Sequence, residues 1–83
     1  MVSETEFKRI CWASRRGMLE LDLIMGRFAN EFFKQTSDEE QQLYIELLEC
    51  EDTDLFAWFM GPREPDPEHA QIVNVIRSAT CSV

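Results

Sequence analysis

One punctuation mark, written twice, constrains this chain more than any other feature. Ser3-Glu4-Thr5-Glu6 and Ser37-Asp38-Glu39-Glu40 both read Ser-x-x-Glu. In that pattern the serine hydroxyl accepts a bond from the backbone N–H three residues on, and the glutamate reaches back to the serine's own N–H. Each pair satisfies donors that a helix start leaves orphaned, so each predicts a helix on its C-terminal side.

The apolar residues then follow a helical period. Phe7, Ile10, Cys11 and Ser14 share one face, with Arg15 and Arg16 in the last turn, where cations suit the helix dipole. Gly17 reads as the left-handed residue that ends such a helix, so the first helix is predicted over about 4–16. Leu21, Ile24, Met25, Phe28 and Phe32 form the stripe of a second, over about 18–34, with Glu20 and Asp22 in its first turn. Gly26 is its weak interior point, at about 1 kcal/mol relative to Ala. Leu43, Tyr44, Leu47 and Leu48 mark a third helix ending near Cys50. Asp52 reads as the cap of a short fourth, carrying Leu55, Phe56, Trp58 and Phe59 and stopped by Gly61-Pro62. Asp66-Pro67-Glu68 is a cap followed by proline at the first helical position, and Ile72, Val73, Ile76 and Ala79 supply the face of a fifth. Strand signals are weak, and "GPREP" (61–65) is the longest loop. The prediction is an all-α, compact five-helix bundle in one small domain over 1–83, with a frayed tail at about 80–83.

Size and charge narrow the function. A chain of 83 residues buries only about 60–65% of its unfolded surface, which leaves little room for both a core and a deep substrate cavity. No apolar run approaches the 18 or so residues of a membrane span, and the charges in "MVSETEFKRI" fall where an export signal needs its apolar core. A soluble, cytoplasmic protein is expected. Cys11, Cys50, Cys81 and His69 could make a zinc site on paper, but they lack metal-ligand spacing, and no metal is expected. Net charge is −8, with eleven acids and only Arg63 between 38 and 68, while Lys8, Arg9, Arg15 and Arg16 cluster near the N-terminus. That balance disfavours nucleic acid and fits one local basic patch offered to a protein.

Catalytic constellations are weak. Glu20 and Asp22 are two apart and point in different directions on a helix. His69 reads as a solvated first-turn residue beside Glu68, and Cys11 as a small buried hydrophobe. No Gly-rich phosphate loop is present, and Asp52-x-Asp54 lacks the ligands and glycine of a calcium loop.

Trp12 is the odd residue. At 100° per residue it falls about 140° from Phe7, between Lys8 and Arg15 on one side and Arg9 and Arg16 on the other. An aromatic among arginines is the composition of a protein-binding hot spot. The plainer alternatives are that Trp12 lies against a neighbouring helix and that Glu20 pairs with Arg16 across the bend.

"RRGMLELD" (15–22), preceded by Trp12, resembles the succinate dehydrogenase assembly factor family, and "LLECEDTDLFAWFMG" (47–61) is similar to that family's second shared segment. The resemblance implies a five-helix fold and a non-enzymatic role: promoting covalent attachment of FAD to the flavoprotein subunit of succinate dehydrogenase, and in bacteria of fumarate reductase. It implies no stably bound cofactor of the chain's own, only action on the partner's FAD, and a monomer when free. The family's Arg-Gly-x-x-Glu motif matches Arg16, Gly17 and Glu20, with Trp12, Arg15, Met18, Lys8 and Asp22 completing an expected partner surface. In this reading Gly17 admits a close backbone approach, Arg16 bonds the partner, and Glu20 orients Arg16 or touches the partner itself. Family members have also been described as antitoxins of a toxin–antitoxin pair. That alternative stays open, although the chain lacks the basic arm many antitoxins carry.

Overall fold

The computed structural model describes residues 2–61 and 63–80. Five helices follow in order: α1 (Glu4–Ala13), α2 (Leu19–Arg27), α3 (Asp38–Leu47), α4 (Asp52–Phe59) and α5 (Pro67–Thr80). Both Ser-x-x-Glu signals form complete capping boxes, at Ser3 with Glu6 and at Ser37 with Glu40. Three expectations fall outside the described residues: Pro62 as part of the fourth helix's stop, Cys81 as one of the four residues weighed for zinc, and the frayed tail beyond Thr80.

The first helix ends three residues before the expected boundary. Ser14 is its C-cap, fully buried, and its hydroxyl donates to the Ile10 carbonyl at 2.7 Å. No described residue has a positive φ, glycines included, so Gly17 is not a left-handed terminator. The turn over residues 14–18 is held instead by side chains from α2 and α4, described below.

The second helix changes its winding. After Arg27 the chain passes through one π-helical turn (Phe28–Phe32), then a 3₁₀ turn (Phe33–Gln35). The Phe33 N–H reaches back five residues to the Phe28 carbonyl. A π turn inserts one extra residue into the helical repeat. The inward position expected for Phe32 therefore passes to Phe33, which is fully buried, while Phe32 stays half-buried beneath Arg27. Asn30 donates to the Gly26 carbonyl at 2.8 Å.

α2 and its π turn lie at the centre, touching α1, α4 and α5, while α5 also covers α3. The core is aromatic at one end. Phe28 and Phe33 pack on Tyr44 at 5.0 and 5.6 Å between ring centroids, and Phe7 packs on Phe33 at 6.1 Å. Leu21, Met25, Leu47, Leu55, Ile72, Val73 and Ile76 fill the rest with no exposed surface.

One polar thread runs through this core. Tyr44 Oη lies 2.6 Å from Ser14 Oγ and 3.3 Å from the Met25 carbonyl. The two hydroxyl protons fill two of these three contacts at a time, and together they tie α1, α2 and α3 at a buried point.

Burial pushes the Tyr44 phenol up to about 12, opposed by its bond to Ser14 and by the positive charge of Arg16. Below the ordinary tyrosine range, folded and unfolded chains both keep the proton and stability is unaffected. Above pH 10 the unfolded chain ionises first, so stability should fall by up to about 2–3 kcal/mol before the folded phenol titrates. Denaturant melts between pH 9 and 12 should show a steeper fall in wild type than in Tyr44→Phe, which keeps only what the raised thiols of Cys11 and Cys50 contribute. Separately, Gly26 sits in helical backbone where an added Cβ would meet nothing within 4 Å. Gly26→Ala should raise stability by about 0.5–1 kcal/mol in thermal denaturation.

Candidate functional site

The turn between α1 and α2 is fastened to the turn between α3 and α4 by one arginine. Arg16 Nη2 donates to the Leu48 carbonyl at 2.8 Å, and Nη1 donates to Asp52 Oδ1 at 3.2 Å and to the Cys50 carbonyl at 3.5 Å. The planar guanidinium can serve several acceptors at once because its donors leave in fixed directions. Leu48 and Cys50 lie where α3 has ended and its carbonyls lack helical partners, so the arginine caps α3 from 32 residues away. The Arg16 side chain is only 13% exposed.

Asp52 completes the clasp. Its second oxygen, Oδ2, accepts the Gly17 N–H at 3.3 Å. Asp52 is therefore not the cap of α4. That position belongs to Glu51, which makes no side-chain capping bond. Asp22 closes the loop from the other side, accepting the Arg16 N–H on Oδ1 at 2.9 Å. Glu20 is exposed and does not orient Arg16: the aspartates at 22 and 52 do. The motif thus divides, with Arg16 pointing inward and Gly17 and Glu20 at the surface. Met18 is half-buried against the core.

A groove of about 550 Å³ runs beside this turn, lined by Phe7, Lys8, Cys11, Trp12, Arg15, Asp22, Gly26 and Asn30. Its two walls are helical rows: Lys8, Trp12 and Arg15 along α1 and its end, and Asp22, Gly26 and Asn30 along α2 and the π turn. Lys8, Trp12, Arg15 and Asp22, all expected partner residues, come together here. Trp12 is 75% exposed, so it does not pack on a neighbouring helix. Beyond the Gly26 row, Leu19 and Leu23 are also exposed, at 73% and 62%. On a helical wheel both fall about 160° from the buried Leu21. That offset was readable in the sequence, whereas the role of Asp52, 36 residues from Arg16, had no local signal.

Neither described cysteine is an activated thiol. Burial raises Cys11, against a lowering by Lys34, and Cys11 is half-buried on the groove wall rather than in the core. Burial also raises Cys50, and the carboxylates of Asp54, Glu68 and Asp66 push it further. His69 is not solvated as expected: its ring packs at a tilt on Trp58 at 5.5 Å between centroids, and Nε2 lies 3.4 Å from Cys50 Sγ. Among the described residues no group of three or more His, Cys, Asp or Glu could hold a metal ion, and no helix is long and apolar enough to cross a membrane.

Known proteins match this chain in sequence across most of their length. A family model described as "Flavinator of succinate dehydrogenase" matches residues 8–80. The FAD assembly factor SdhE of Shewanella oneidensis is 53% identical over 70 residues, covering 83% of this chain and 85% of that protein. The protein of that name from Pseudomonas putida is 46% identical over 77 residues, 92% of each chain. That of Aliivibrio fischeri is 47% identical over 77 residues, 92% of this chain and 90% of the other. These relatives are named as assembly factors, not as enzymes.

The clasp makes a direct prediction. Arg16→Ala leaves the Leu48 carbonyl and Asp52 Oδ1 without their donor and should cost about 1–3 kcal/mol in urea denaturation. Arg16→Lys should recover less than half of that, because one ammonium cannot span three acceptors.

Proposed function

The chain belongs to the family of flavinators of succinate dehydrogenase, and on that premise we propose that it binds the flavoprotein subunit of succinate dehydrogenase and promotes covalent attachment of FAD there. We extend the reading to the flavoprotein subunit of fumarate reductase, where covalent FAD poses the same problem of orientation. The protein would act as a cytoplasmic monomer and hold no flavin of its own.

The chemistry belongs to the partner, whose histidine becomes bonded to the flavin 8α-methyl. What a small helper contributes is arrangement. Fixing reacting groups relative to one another can lower a barrier by about 7–11 kcal/mol when geometry is ideal, and a fraction of that suffices for an assembly step. The observation that carries this reading is an exposed Trp12 near the end of α1, followed by an exposed Gly17 and Glu20 at a turn that the clasp holds in place. Gly17 and Glu20 present backbone and carboxylate to the partner, and Trp12, Arg15 and Lys8 supply an aromatic and basic flank. Met18 seats the turn on the core. Arg16 and Asp22 act by positioning the surface: Arg16 through Asp52 and the end of α3, Asp22 through the Arg16 backbone.

Gly17 provides the test, because a Cβ there would meet only Asp52 Oδ2, at an ordinary 3.7 Å. A side chain at 17 is tolerated by the fold and would stand between this surface and anything docked on it. In-gel flavin fluorescence of the denatured flavoprotein subunits should be strong with wild type, and lost both in cells lacking the protein and in cells carrying Gly17→Arg. The purified variant should melt within a few degrees of wild type. Equal fluorescence in all three strains would refute the assembly role.

A further inference from the structure

Gly26 has no purpose within its own fold. It sits in α2, where glycine is among the least favourable residues. Its φ is not positive. Nothing stands within 4 Å of where its Cβ would be. Neither backbone conformation nor internal packing requires the absent side chain, yet the residue lies in the middle of the row Asp22–Gly26–Asn30, across the groove from Trp12.

The charges around it are also unmatched. The chain carries sixteen acids and eight Lys and Arg residues. Arg16, Arg27, Lys34 and Arg63 each pair with a carboxylate. Among the described residues, Lys8, Arg9, Arg15 and Arg77 do not, and the first three lie in α1 or just past its end. Lys8 stands one turn before Trp12 on α1 and Arg15 just beyond the helix end, so two cations and the indole line the same groove. On the far wall Asp22 carries the opposite sign.

Resting on the reading of this surface as the flavoprotein docking site, we propose that the groove receives one bulky apolar side chain of the flavoprotein subunit, flanked in that subunit by carboxylates. The apolar group lies over Gly26 and against the Trp12 ring, where a missing side chain leaves depth. The flanking carboxylates reach Lys8 and Arg15, and Asp22 repels them from the α2 wall, which sets the direction of the bound segment. A hydrophobic anchor ringed by charge is the usual anatomy of an interface centre.

The test is a titration of purified flavoprotein subunit, lacking covalent FAD, with wild type, Gly26→Ala, Gly26→Leu and the double variant Lys8→Glu/Arg15→Glu, at low and high salt, with melting curves for each. Gly26→Leu should melt no lower than wild type yet bind at least about tenfold more weakly, a typical loss when an interface anchor is displaced. Gly26→Ala should melt higher and bind less well, so the groove is tested even if leucine disturbs the helix. The double variant should bind weakly and lose most of its salt dependence. Wild-type affinity in both Gly26 variants, or an unchanged salt slope in the charge variant, overturns the proposal while leaving the docking surface intact. Absence of wild-type binding overturns the docking reading and the groove with it.

Discussion

The arrangement of this molecule hangs on a single guanidinium. Arg16 lies in the turn between α1 and α2, but its bonds run to Leu48, Cys50 and Asp52, in the connection between α3 and α4. Helix pairs in a small bundle meet mainly through apolar contacts, which resist separation but constrain sliding and rotation weakly. A planar, multiply bonded arginine fixes both, because its donors satisfy carbonyls in set directions. Asp52 returns a bond to the Gly17 N–H and Asp22 to that of Arg16, so the turn is held from two sides without a left-handed residue.

A consequence reaches the surface. The Arg-Gly-x-x-Glu motif reads in sequence as one recognition element, but its parts do different work. The arginine is drawn inward and builds the platform, while the glycine and the glutamate occupy its outer side. An arginine 13% exposed contributes by shaping what is presented, whereas Trp12 and the unpaired cations of α1 contribute by being available. The tyrosine–serine thread in the core serves the same end, since Ser14 stands two residues before Arg16 and anchors the last turn of α1 to α3.

The π turn changes which side chain the second helix buries. By inserting a residue it brings Phe33 rather than Phe32 into the aromatic cluster. Asn30, four residues beyond Gly26, stands on the groove wall, and its side chain bonds the Gly26 carbonyl. A regular 3.6-residue helix through 34, as the apolar stripe predicts, would have put Phe32 in that place.

Local chemistry was legible in the chain. Caps at Ser3 and Ser37, proline at 67 and three-and-four apolar spacing depend on neighbours within one or two turns, and all five helices follow from them. Trp12 stood outside the apolar face of its helix on the same grounds and is exposed. Three things were decided only by tertiary structure. Asp52, at a helix start, could equally be a cap or a distant acceptor, and Arg16 settled which. Gly17 could be a left-handed terminator, and side chains from α2 and α4 made that unnecessary. The extra residue of the π turn has no local signature, because what favours it is the fit of Phe33 against Tyr44 and Phe7. Short-range patterns determine where helices start, whereas the partners of long side chains and the register of a packed helix depend on residues brought close only by folding.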